Sequence, residues 1–147
     1  MMVAGCGAGC GAGGTLTATF EQNDVVVAEL DIDCSLVVSQ SDPTDPSGDF
    51  FDVTGRDVDR GLGIVITWFR DQVPGPGTYD DIGRFTVLWP NPASTGPTDQ
   101  QLTAYGTVTF TAYDAGADAA VAGTFEGTVP ALDPIRTTGA FDCARAN

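Results

Sequence analysis

The side chains here that could do chemistry are carboxylates and cysteines, because the chain has no histidine and its six basic residues are all arginine. Without His or Lys, the Ser-His, Cys-His and Ser-Lys pairs that activate a nucleophile are absent, and no Schiff base can form. No GxSxG, GxxxxGK or HExxH pattern occurs, so acyl transfer, nucleotide binding and zinc proteolysis have no support. What survives is paired-acid chemistry of the kind glycosidases use. With twenty acidic residues on a small surface, some pair will lie at a workable distance by chance. The densest acidic segment holds Asp42, Asp45, Asp49 and Asp52 around Gly48. Calcium favours clusters of such oxygens. The spacing is not that of an EF-hand, however, and Asp with Pro, Ser and Gly is also the composition of a solvated turn. These four residues are the candidate metal ligands, with calcium the one cofactor weighed.

Cys34 and Cys143 stand in similar settings, Asp-Ile-Asp-Cys and Ala-Phe-Asp-Cys. Val26, Ala28, Leu30, Ile32 and Cys34 share one face of a period-two pattern, as do Phe141 and Cys143, so both thiols point inward. The pattern predicts a disulfide tying an early strand to the last one; two separate buried thiols are the other reading. Zinc is disfavoured by the absence of His and of a close Cys-x-x-Cys pair.

The elements that must position these groups are strands. The composition is rich in Thr, Val, Gly and Asp and contains no Lys, which suits strands and turns better than helices. Leu16, Ala18 and Phe20 alternate with Thr15, Thr17 and Thr19, and a Gln-Asn-Asp turn follows, which is a hairpin signature. Further strands suit 35–39, 50–54, 62–69, 85–89, 102–113, 119–129 and 137–144. The segments between them are dense in Pro, Gly, Asp and Ser. No stretch holds a sustained helical period, and none is long enough to span a bilayer. The expectation is an all-β domain over residues 15–147: a two-sheet antiparallel β-sandwich of about eight or nine strands, or alternatively a small β-barrel. Alternation places both tryptophans, Trp68 and Trp89, in the core. It places Tyr105, Thr107, Thr109, Thr111 and Tyr113 together on an outward face, the candidate binding surface for a glycan or a protein partner.

The net charge of −14 would repel nucleic acid phosphates and anionic lipid headgroups, so no nucleic acid partner is expected. Solubility explains such a surface; cation attraction or a saline habitat is the other reading.

Residues 1–14, MMVAGCGAGCGAGG, read as a flexible Gly/Ala tether. Within it Val3-Ala4-Gly5-Cys6 resembles the lipobox of bacterial lipoproteins, in which the Cys receives diacylglycerol. No charged region and no apolar region precede it, which departs from a complete lipoprotein signal. Cys10 lacks the aliphatic residue and is the poorer acceptor. Later in the chain, Gly106-Thr107-Val108-Thr109-Phe110, Ala122-Gly123-Thr124-Phe125-Glu126-Gly127-Thr128 and Thr138-Gly139-Ala140-Phe141 resemble the C-terminal strands of a broad set of exported bacterial lipoprotein β-sandwich domains of uncharacterised function. Pro76-Gly77-Thr78-Tyr79 resembles a strand entry in the same domains. The resemblance covers roughly half the chain and implies an exported β-domain, often lipid-anchored. It carries over no activity and no site residue.

The sequence therefore predicts a non-enzymatic, exported surface protein, anchored to the membrane by lipid on Cys6 and serving a structural or binding role. A calcium-dependent carbohydrate-binding module is the alternative, and a carboxylate-based hydrolase the third reading.

Overall fold

Alternation of buried and exposed residues runs through almost every extended segment, and each segment forms a strand. The computed structural model describes residues 13–40, 44–45, 48–80, 82–90, 99–116 and 119–145. Within these lie β1 (Gly13–Gln22), β2 (Val25–Ser39), β3 (Phe50–Asp57), β4 (Leu62–Phe69), β5 (Gly77–Asp80), β6 (Arg84–Pro90), β7 (Asp99–Thr103), β8 (Tyr105–Asp114), β9 (Ala120–Val129) and β10 (Ile135–Ala144). No helix among the described residues is long and apolar enough to cross a membrane.

The all-β expectation holds, but the strands do not divide into two hydrogen-bonded sheets. All ten belong to one antiparallel sheet in the order β5-β8-β9-β10-β1-β2-β3-β4-β6-β7, curled into a half-barrel. The curl is tightened by the chain itself. β7 and β8 are separated by Ala104 alone, yet β7 pairs with β6 while β8 pairs with β9 and β5. The Ala104 amide donates to the Phe85 carbonyl at 2.9 Å, so the ladder with β6 persists until the chain turns toward the opposite edge.

Rolling brings distant strands face to face across the core. Trp68 of β4 meets Phe110 of β8 edge-on at 5.1 Å, and Phe20 of β1 meets Trp89 of β6 at 5.4 Å. Phe85 of β6 stands at 88° to Phe125 of β9, and it lies where a side chain on Gly127 would collide with its ring. Such rings each bury large apolar areas and prefer these tilted arrangements. Trp68 is fully buried and Trp89 packs partly buried against the core, in agreement with the alternation.

Cys34 and Cys143 form a disulfide with a sequence separation of 109. Both are partnered in register with Gly14 of β1, one from each side. Strands two apart in a sheet normally lie about 10 Å from each other. Here the two cysteine Cα atoms are 5.7 Å apart, because β2 and β10 converge where β1 begins. Beyond that point Leu36 and Arg145 form a parallel bridge. Gly14 permits the pinch, since a Cβ on it would overlap the Asp142 carbonyl oxygen.

Candidate functional site

Asp45, Asp49 and Asp52, the described members of the acidic segment, do not gather into a group that could hold a metal ion. Asp42 lies outside the described residues, and Asp45 is exposed. Asp49 is 2% exposed and accepts a hydrogen bond from Arg70 Nη2 at 2.9 Å. Arg70 also donates to the Ala115 carbonyl at 3.0 Å and stands 5.3 Å above the Phe51 ring. Asp49 thus holds the approach to β3 against the end of β4 and the end of β8. A charge-assisted bond of that kind is a structural use of the carboxylate. Asp52, three residues on, sits on the outer face of β3, where its Oδ1 accepts from the Thr67 hydroxyl at 2.5 Å. Among the described residues no group of three or more Asp, Glu, His or Cys gathers to hold a metal ion.

The proposed Tyr and Thr face is partly dissolved by a β-bulge. Tyr105 is 62% exposed, and Thr107, Thr109 and Thr111 line the outer side of β8. Thr109 shares a 2.9 Å hydrogen bond with Thr78 of β5, and Thr111 donates to the Ala122 carbonyl at 3.2 Å. Tyr113 does not join them. The register with β9 shifts between Phe110 and Ala112, and this extra residue turns Tyr113 to the inner side. There its hydroxyl accepts from Trp68 Nε1 at 3.0 Å, and its ring meets Phe110 at 5.3 Å. Burial pushes the Tyr113 phenol above its ordinary value, with the Trp68 hydrogen bond opposing the shift. The remaining threonines continue onto a shallow surface with Thr124, Glu126 and Thr138. Several of their hydroxyls are already engaged within the sheet.

A deeper depression lies on the outer face of β3, β4, β6 and β7, a place the sequence reading did not single out. Register aligns Asp52, Thr67 and Arg84 in one row across three strands. Phe50 and Phe69 are aligned in the next row, with ring centroids 5.5 Å apart. On the other side of the charged row, Val65 and Thr86 are paired, followed by Gly63 and Leu88, and Leu88 with Gln101 of β7. Thr86 and Leu88 are only 6% and 5% exposed although they point away from the core, so they form a floor and not a flat surface. The cavity measures about 480 Å³, within the roughly 300–1,000 Å³ of small-molecule sites. Gln72 stands at one end, its Oε1 accepting from the Phe69 amide at 2.8 Å.

Cys6 and Cys10 lie outside the described residues. No family model, curated protein or solved structure matches this chain. The roles of its residues therefore rest on their own geometry and chemistry.

Proposed function

We propose that this protein is exported and acts at the cell envelope as a non-enzymatic binding domain, tethered by lipid on Cys6. The observation that carries the reading is the Cys34–Cys143 disulfide, which clamps β2 to β10 beside the first residues of β1. Structural disulfides persist in oxidising compartments and are rare in the cytosol. The segment preceding β1 in sequence is the Gly/Ala-rich stretch with the lipobox-like Val3-Ala4-Gly5-Cys6. A lipid-modified Cys6 there would leave the folded domain on a short leash, with its outer sheet face free to meet a partner. A single acyl chain gives only marginal membrane attachment, so the diacylglyceryl group of the lipoprotein pattern is the relevant anchor.

A binding role fits the residue inventory better than catalysis. Asp49 is committed to Arg70, Asp52 Oδ1 accepts from Thr67, and no three acidic groups gather among the described residues. The test is surface accessibility: intact cells producing the protein are treated with a protease or a membrane-impermeant label. Loss or labelling of the protein on intact cells supports the reading, and protection until lysis contradicts it.

A further inference from the structure

We propose that the groove on the outer face of β3, β4, β6 and β7 is a binding site for an uncharged glycan, with a pyranose ring seated against Phe69. This inference rests on the binding-domain reading above and gives it a site and a ligand class.

The groove has one formal positive and one formal negative group, Arg84 and Asp52, at opposite ends of a row of three strands. Strand spacing separates their backbones by about 10 Å. A site for phosphate or another polyanion gathers several cations or backbone amides, and the protein carries a net charge of −14 that repels such ligands. A groove whose charges cancel favours a ligand with none.

Its hydrogen-bonding groups suit hydroxyls, which both donate and accept. Asp52 Oδ1 is taken by the Thr67 hydroxyl, while Oδ2 has no partner among the described residues and is free to accept. The amide of Gln72 is oriented by the Phe69 N–H, which occupies Oε1 and leaves Nε2 to donate. Arg84 forms no salt bridge among the described residues, so its forked guanidinium is available to neighbouring oxygens. Gln101, on the far wall, can do both. Donors and acceptors thus converge from three sides on one cavity.

The apolar part of the groove matches the other half of a sugar. Phe69 is 49% exposed and packs at a tilt against Phe50. Leu88 and Val65 supply the floor. The C–H face of a pyranose packs on such a ring while its equatorial hydroxyls reach the polar rim. A peptide would leave the rim's fixed polar groups imperfectly paired, which costs affinity. No calcium is needed by this arrangement, which separates it from a calcium-dependent module.

The experiment is an array of uncharged gluco-, manno-, galacto-, xylo- and chito-oligosaccharides, probed with the full chain in the presence of EDTA and followed by calorimetry on any hit. Binding is expected to survive EDTA. Phe69→Ala and Asp52→Asn are each expected to weaken it about tenfold or more, while Leu132→Ala, at a fully exposed position outside the groove, leaves it unchanged. Far-UV circular dichroism and melting confirm that the variants are folded; Asp52→Asn keeps the side-chain shape and serves if Phe69→Ala is unstable. Absence of binding to every oligosaccharide, binding only to carboxylated glycans or peptides, or undiminished binding by both variants would overturn the proposal. None of these results depends on where the protein resides, so an envelope-exposed protein that binds no sugar fails this inference alone.

Discussion

Trp68 Nε1 donates a hydrogen bond to Tyr113 Oη at 3.0 Å, tying β4 to β8 across the inside of the curled sheet. The bond exists because the bulge near Thr111 turns Tyr113 inward. Tyr113 also contacts Phe51 and Phe110, so the pair sits within the largest aromatic cluster of the core.

Replacing Tyr113 with Phe leaves the buried indole N–H without its acceptor. The expected loss is about 1–2 kcal/mol near neutral pH, read as a lower urea midpoint with an unchanged slope. The pH dependence has a defined sign. The phenol is raised above 10.0 chiefly by burial. Its contribution is therefore complete below the unfolded value and is lost as pH rises through the folded one. The parent protein should lose stability above about pH 10, and the gap to Tyr113→Phe should narrow there. A constant gap across that range would contradict the assignment.

The disulfide closes a loop spanning 109 positions. The chain-entropy relation puts its contribution on the order of 4 kcal/mol, and for a domain of this size its loss lowers the melting temperature by about 10–15 °C. The Cys34→Ala, Cys143→Ala double variant and the reduced parent protein should show similar losses. A change of less than about 1 kcal/mol would mean that β2 and β10 are held together by the sheet alone.

Asp49 and Asp52 should respond differently to substitution. Asp49→Ala removes the carboxylate that neutralises Arg70 and is expected to cost about 2–4 kcal/mol, whereas Asp52→Ala, on the outer face, should cost under about 1 kcal/mol. Because Asp49 is committed to Arg70, millimolar calcium should leave the melting temperature unchanged. A calcium-dependent rise would show that the acidic segment binds the ion after all.

Much of the fold was legible because period-two alternation is a local signal. Ile64, Ile66 and Trp68 fall on one face of the alternation and are all buried. Cys34 and Cys143 were paired on the same ground. Two features were not legible. Thr111-Ala112-Tyr113 continues an unbroken alternation, so nothing in the residues announces the bulge that reverses Tyr113. The groove is assembled from four strands whose contributing residues run from Phe50 to Gln101. Alternation shows that Asp52, Thr67 and Arg84 face outward, but only register makes them neighbours, and only the curl of the sheet makes a hollow beside them. Asp49 illustrates a third limit: its surroundings look like a solvated turn, and its burial depends on an arginine from the end of β4.

The most direct test of the central claim, an exported and lipid-tethered domain, is the intact mass of the protein from the membrane fraction of cells that make it, before and after reduction. The account predicts a chain beginning at an acylated Cys6 that gains about two daltons when the Cys34–Cys143 disulfide opens. An unacylated chain with free thiols at Cys34 and Cys143 would contradict it.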